Sequence, residues 1–357
     1  LHYLILENSS PASRVEFRLV MRVGSLQELE NQKGSAHFLE HVAFGGTTHF
    51  PQNSLVEYLE SLGMKYGLDI NAVTGFDRTV YMFAVPADYE KEKTIDHSLL
   101  IMKDWLGGIS INKDKVEREK GVILQELNGY DVGDDFYSLK IGDGRYNNRM
   151  PLGDIHDINS MTPEKLRDYY ETWYSPSNAS LVVVGDISPK EIEKKIKKEF
   201  STLKNRKKSS IIAYPLDYQK GIHIKEVKDS LLDKATVELI IPHPTVVVKT
   251  MPDAVKKAQG NLLILALNKR FRARKLNVYA SDHWYLSDKN HFVLSIKGND
   301  KTEIIETISQ TISELHFLIA NGWHKEEFLE VKNDFLAGLD EDDNQDRYSS
   351  DWCDDFI

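Results

Sequence analysis

His37, Glu40 and His41 stand in the order His-x-x-Glu-His. Four residues apart on a helix, the two imidazoles share one face about one turn apart and can reach a single ion. Glu40, three residues past His37, lies on the same face. Zinc takes imidazole nitrogen and carboxylate oxygen, and a catalytic zinc keeps one position for water. A carboxylate beside that water can remove its proton, which the metal has already made acidic. The order reverses the common His-Glu-x-x-His zinc motif. Ala36, Phe38, Leu39, Val42 and Phe44 surround the trio, so the helix reads as mostly buried. Three polar groups on a buried helix need partners, and a metal supplies them.

A third protein ligand is required, and a carboxylate on another helix is the natural donor. The stretch from Val116 to Glu126 offers Glu117, Glu119 and Glu126. Periodicity alone does not choose among them.

These residues need a scaffold. Leu1–Leu6 and Val15–Val23 read as strands, and Gly34–Phe44 as a helix stopped by Gly45-Gly46. Ser54 and Glu57 match a capping box opening a helix over Leu55–Leu62. Met64–Asn71 and Thr79–Val85 read as β segments around a turn at Gly75-Phe76-Asp77. Helical stretches follow near 88–106, 113–128 and 163–173, then a buried strand at Leu181–Gly185 and a charged helix at Pro189–Leu203. The basic run Lys204–Ser210 reads as a solvated connector. Beyond it the order recurs. Strands are expected at Gly221–Val227 and Thr236–Ile241, a helix at Asp253–Lys275, and a β pair at Val278–Trp284 and Phe292–Lys297. Helices follow near 302–321 and 324–338. The fold class is therefore α+β: two copies of a mainly antiparallel sheet with helices packed on it. The expected domains are 1–207, carrying the chemistry, and 208–357, a non-catalytic second copy expected to be incomplete at its C-terminal end.

The stretch Gly34-Ser35-Ala36-His37-Phe38-Leu39-Glu40-His41-Val42-Ala43-Phe44-Gly45-Gly46 resembles the signature of the pitrilysin/insulinase family, which includes the mitochondrial processing peptidases. The resemblance implies a zinc endopeptidase acting on peptides or unfolded segments, with one Zn2+ per chain and Glu40 as general base. In that family a glutamate well downstream completes the site, in a segment like Val116-Glu117-Arg118-Glu119-Lys120-Gly121-Val122-Ile123. Matching residue by residue assigns the third ligand to Glu117, beside His37 and His41. The run Asn71-Ala72-Val73-Thr74 resembles the family's substrate-binding edge strand. Met64–Tyr81 as a whole looks most like the bacterial PqqL-like branch, which is periplasmic. The family also implies a further half or partner subunit that closes a chamber over the zinc and supplies a catalytic arginine and tyrosine. Family members that serve as non-catalytic structural or chaperone-like subunits are the alternative. They typically lose the key residues, and this chain keeps them.

The rest of the sequence excludes other classes. The formal charge of -10 argues against nucleic-acid binding. No apolar run approaches the roughly 18 residues of a transmembrane segment. Cys353 is the single cysteine, so no internal disulfide forms. The chain begins at Leu1, already inside a strand, so any address is expected to lie upstream. Asp340, Asp342, Asn344, Asp346 and Asp351 imitate a calcium loop, but Gln345 replaces the required glycine.

Overall fold

Val15, Phe17, Leu19 and Met21 alternate along one strand and are completely buried on one face of a sheet. We describe a computed structural model of residues 1–357, except 89, 130–140, 142–143, 207–209, 217, 219, 229–233 and 345–346 and the side chains of 129 and 340–344. The sheet has strands β1 (His2–Glu7), β2 (Arg14–Met21), β3 (Ile70–Thr74), β4 (Thr79–Pro86) and β5 (Ala179–Gly185). Their order is β1-β5-β2-β4-β3. β1 runs parallel to β5, and the other pairings are antiparallel. The register stacks Phe17 beside Phe83 and Val183, and Leu19 beside Tyr81 and Leu181. Central strands covered on both faces read as continuous apolar runs, as Leu181–Val184 does.

Helices α1 (Ser35–Phe44), α2 (Ser54–Ser61), α3 (Lys91–Gly107), α4 (Lys113–Gly129), α5 (Ile155–Asn159), α6 (Pro163–Trp173) and α7 (Pro189–Phe200) complete this part. The inner sheet face shares its core with α1, α3, α6 and α7. An aromatic cluster fixes α1: Phe44 and Tyr81 lie 5.4 Å and 5.1 Å from the Trp105 ring, and the Trp105 indole donates to Ala43 O at 3.3 Å. Such ring pairs add roughly 0.5–1.5 kcal/mol each beyond burial. On the outer face, Val182 and Val184 pack against Cys353 of a last short helix, α11 (Ser349–Asp355).

The second unit is Pro215–Gln345, while 1–214 and 346–357 form the first. Thus the compact units part beyond the basic connector expected at 204–210, of which 207–209 lie outside the described residues. Strands β6 (Ala235–Pro244), β7 (Val278–Leu286) and β8 (Lys289–Gly298) form an antiparallel sheet of order β6-β8-β7. Leu267 and Phe271 of α8 (Met251–Ala273) pack on Val278, Ala280, Leu294 and Ile296. Helices α9 (Lys301–Asn321) and α10 (Lys325–Asn344) follow.

Three local expectations are corrected. Residues 221–228 are irregular, with Ile222 and Ile224 almost wholly exposed, because an alternating pattern makes a strand only where a partner accepts its hydrogen bonds. The Ser54–Glu57 capping box does not form: Asn53 is the N-cap, and Glu57 N donates to Asn53 O at 3.0 Å. Of the expected Met64–Asn71 segment only Ile70 and Asn71 are strand, and β3 continues to Thr74. Asp69 bends the chain before it by accepting from Lys65 N at 3.0 Å. The calcium-like acidic run falls largely on side chains outside the described residues.

The α11 packing is open to test. Burial pushes the Cys353 thiol up to about 12, against about 8.5 for a free cysteine. Cys353 is expected to resist a thiol reagent at pH 8 in the folded chain and to react promptly once denaturant is added. Labelling of the native chain at the rate of a free cysteine would show that α11 is not seated on the sheet.

Candidate metal centre

The N-cap of α1 is Gly34, whose φ of +80° places it in the left-handed region that glycine tolerates without strain. Gly34 has no side chain to cap the helix. Glu28 takes that role, accepting main-chain N–H bonds from Gly34 at 2.9 Å and Ala36 at 2.8 Å. The helix is buried nearly all round, and His37 and Glu40 are each only 9% exposed. The imidazoles of His37 and His41 lie 4.7 Å apart, centroid to centroid.

α4 faces them with two carboxylates. Glu126 sits between the histidines, with Oε1 3.7 Å from His37 Nε2 and Oε2 3.3 Å from His41 Nε2. Glu119 approaches the other nitrogen of His41, Nδ1, at 3.6 Å. Val116 and Ile123 on the same helix are buried. Positions 116, 119, 123 and 126 form one stripe, because seven residues make about two turns.

Glu117 does not belong to this stripe, and the assignment of the third ligand is corrected accordingly. Nine residues separate it from Glu126, about two and a half turns, which puts it on the opposite side of α4. Its side chain is 54% exposed, and its Oε1 accepts from Lys120 Nζ at 2.9 Å. Among the described residues, His37, His41 and Glu126 group their ligand atoms within 4.8 Å of one another. The spacing of buried Val116 and Ile123 marks the face that holds both Glu119 and Glu126, so it does not by itself choose between them.

The donor set fits zinc. Two ligands at about 2.0–2.1 Å from a tetrahedral zinc lie about 3.3–3.4 Å apart, close to the spacing of Glu126 from His41 and slightly inside that from His37. Burial, reinforced by the charge of His41, pulls the His37 pKa down to about 3, leaving the neutral imidazole a metal needs. His37 Nδ1 is buried without a hydrogen-bond partner. Burial also pulls His41 down, but the Glu119 contact and the charges of Glu40 and Glu126 outweigh it, and the net shift is upward. Burial raises Glu119, yet the contact with His41 and the hydrogen bond from Arg118 bring it below the usual carboxylate range. Burial pushes Glu40 up to about 7, against the opposing hydrogen bond from Thr74 and the charge of His41. A carboxyl poised there suits a general base near neutral pH.

Thr74 Oγ1 donates to Glu40 Oε2, so the end of β3 touches the proposed base directly. Among the described strands β3 pairs with β4 alone and forms the sheet edge, with a single bridge from Tyr66 to Ile70 at its start. Because Asp69 O accepts from Ala84 N at 3.1 Å, alternation along the ladder turns the main chain of Ala72 and Thr74 outward. Asn71 and Val73 carry exposed side chains, while Ile70 and Ala72 are buried. The outward N–H of Ala72 is taken by the Asn71 side-chain oxygen at 2.9 Å.

Comparison with known proteins agrees with this architecture. Residues 3–136 match the insulinase (peptidase family M16) model, and residues 160–335 match the model of the M16 inactive domain. A probable zinc protease PqqL of Haemophilus influenzae is 34% identical over 206 residues, 56% of this chain and 22% of that protein. Its Escherichia coli counterpart, also a probable zinc protease PqqL, is 29% identical over 279 residues, 77% of this chain and 30% of that protein. The chain therefore spans less than a third of the length of these curated relatives. The crystal structure of the first half of the periplasmic protease PqqL from Escherichia coli superposes with a TM-score of 0.89 at 27% identity, over 98% of this chain and 77% of that one. No helix among the described residues is long and apolar enough to cross a membrane.

The ligand assignment makes a clear prediction. Glu126→Gln is expected to lose most zinc affinity, Glu119→Gln to lose roughly 10–100-fold as a group acting through His41, and Glu117→Gln to bind as wild type. Metal analysis and chelator competition on the three variants decide it. Loss of zinc in Glu117→Gln with retention in Glu126→Gln would restore the sequence-based register.

Proposed function

The chain belongs to the insulinase (M16) family of metallopeptidases, and on that premise we propose that it is the zinc-binding, catalytic part of an endopeptidase acting on peptides or unfolded segments. The observation that carries this reading is the convergence of His37, His41 and Glu126 on one small space, with the Glu40 carboxyl on the same helix face. His37, His41 and Glu126 would hold one zinc. When bound, zinc supplies Lewis acidity, which makes water acidic near neutral pH and a carbonyl more electrophilic.

The protein's own groups supply the rest. Glu40 takes the proton from the attacking water and passes it to the leaving amine as the peptide bond breaks. Thr74 holds Glu40 by its hydroxyl. Glu119 fixes the ring of His41 through Nδ1. A peptide lies along β3 as an added strand, bonding to the outward main chain near Ala72 and displacing the Asn71 side chain from it. Asn71, Ala72, Val73 and Thr74 are thus the substrate-binding residues. Main-chain pairing of this kind gives affinity with little dependence on sequence, which suits a broad peptidase.

Two features extend beyond residues 1–357. The length of the relatives supports a further half, or a partner subunit, that closes a chamber over the zinc. The similarity to the periplasmic protease PqqL of Escherichia coli supports a periplasmic location.

Glu40→Gln is expected to keep zinc and to lose at least ~10²–10⁴-fold in turnover. A quenched-peptide assay on the full-length protein measures it, and near-normal turnover would remove Glu40 as the base. Residues 1–357 alone are expected to bind zinc yet cleave poorly. A missing oxyanion donor costs ~10²–10³-fold, and missing walls cost more. Turnover per zinc site equal to that of the full-length protein would show that the further half has no catalytic share.

A further inference from the structure

The segment Gly24–Glu28 touches both parts of the site. At one end, Ser25 N and Leu26 N donate to the carbonyl oxygens of Gly75 and Phe76 at 3.2 Å and 2.9 Å. These carbonyls follow directly on Thr74, the residue bonded to Glu40. The approach is close enough that a Cβ on Gly24 would lie 2.3 Å from Gly75 O, so only glycine allows it. At the other end, the fully buried Glu28 carboxylate holds the N–H groups of Gly34 and Ala36 at the start of α1. The two nearby arginines, Arg145 and Arg149, donate to the main-chain carbonyl of Glu28 at 2.9 Å and 3.1 Å. They anchor the segment and leave the carboxylate oxygens to the helix.

On the reading that α1 carries the zinc ligands and β3 the substrate, we propose that Glu28 is a positioning residue. Through the Gly24–Glu28 strut it sets His37, Glu40 and His41 relative to the peptide-binding strand. The first-turn N–H groups of a helix have no partner inside it, and the positive end of the helix favours a carboxylate. Burial pushes the Glu28 carboxyl up to about 8, and the bonds from Ala36 and Gly34, with the charge of Arg149, pull against that rise. α1 keeps its apolar packing through Phe38, Leu39, Val42 and Ala43 without Glu28. Removal of Glu28 should therefore leave the helix in place but let it slide or tilt slightly against β3 and α4. Metal ligands and bases are sensitive to displacements of that size.

The test uses zinc-loaded full-length protein. Glu28→Gln fills the same volume, but its single amide oxygen cannot serve both N–H groups as the carboxylate does. Its zinc affinity, measured by chelator competition, is expected to fall roughly 10–100-fold. kcat should fall while KM for a quenched peptide stays within about two-fold, and the rise in Tm given by saturating zinc should shrink. A plain fold stabiliser would behave otherwise. If Tm falls equally with and without zinc, and zinc affinity and kcat stay at wild-type values, the proposal is overturned. Glu28→Asp is the second variant, needed if the glutamine form does not fold. It keeps the charge but is one methylene short, and wild-type zinc affinity and turnover in it would also overturn the proposal. Failure of the underlying reading looks different: wild-type protein would bind no zinc, or Glu40→Gln would stay active.

Discussion

The structure depends on one contact above all, the facing of α1 and α4. Two histidines a turn apart on one helix meet two glutamates two turns apart on the other. Val116 and Ile123 lie buried between and beside those glutamates. The apolar residues thus set the rotation of α4, and the same rotation aims Glu119 and Glu126. Packing and chemistry share one stripe, so neither can shift alone.

Charge balance explains why such a cluster needs a cation. Glu40, Glu119 and Glu126 crowd around two imidazoles, one of which burial keeps neutral. Burial above all raises the Glu40 pKa, while the Glu119 contact and the charges of Glu40 and Glu126 outweigh burial and raise that of His41. Buried polar groups are costly unless paired. Glu119 lies 3.6 Å from His41 Nδ1, whereas the buried Nδ1 of His37 has no hydrogen-bond partner among the described residues. In the proposed site a divalent ion would relieve the strain on the remaining groups and leave Glu40 free to titrate.

The edge strand is the second element bound to this centre. β3 is short, lies at the sheet margin, and reaches Glu40 through the Thr74 hydroxyl. An unpaired edge is a hazard in most sheets and is usually blunted. Here the Asn71 side chain covers the Ala72 N–H, a cover that a peptide main chain could replace. The proposed roles of strand and helix therefore rest on adjacency as much as on residue type. The Gly24–Glu28 segment is bonded to both.

By itself the sequence determined a good deal. The i, i+4 histidines with an intervening glutamate are a local pattern, and local patterns survive folding because helix geometry fixes them. The α+β class and the order of most elements were equally legible, since alternating and helical periodicities are short-range signals. What it could not decide was long-range. Glu117, Glu119 and Glu126 are alike in type, and matching the family's segment picked Glu117, which the structure does not bring to the histidines. The rotation of α4 against α1 brings in Glu126 and turns Glu117 to Lys120 and solvent. Met64–Asp69 has strand-like residues, but the Asp69 bond to Lys65 N makes it a turn. Residues 221–228 alternate like a strand and are irregular, with no strand partner among the described residues. For the glutamates the deciding contact lies between two helices, and their own local pattern does not specify it. That is why tertiary structure, not sequence, decided which glutamate stands beside the two histidines and where the edge strand begins.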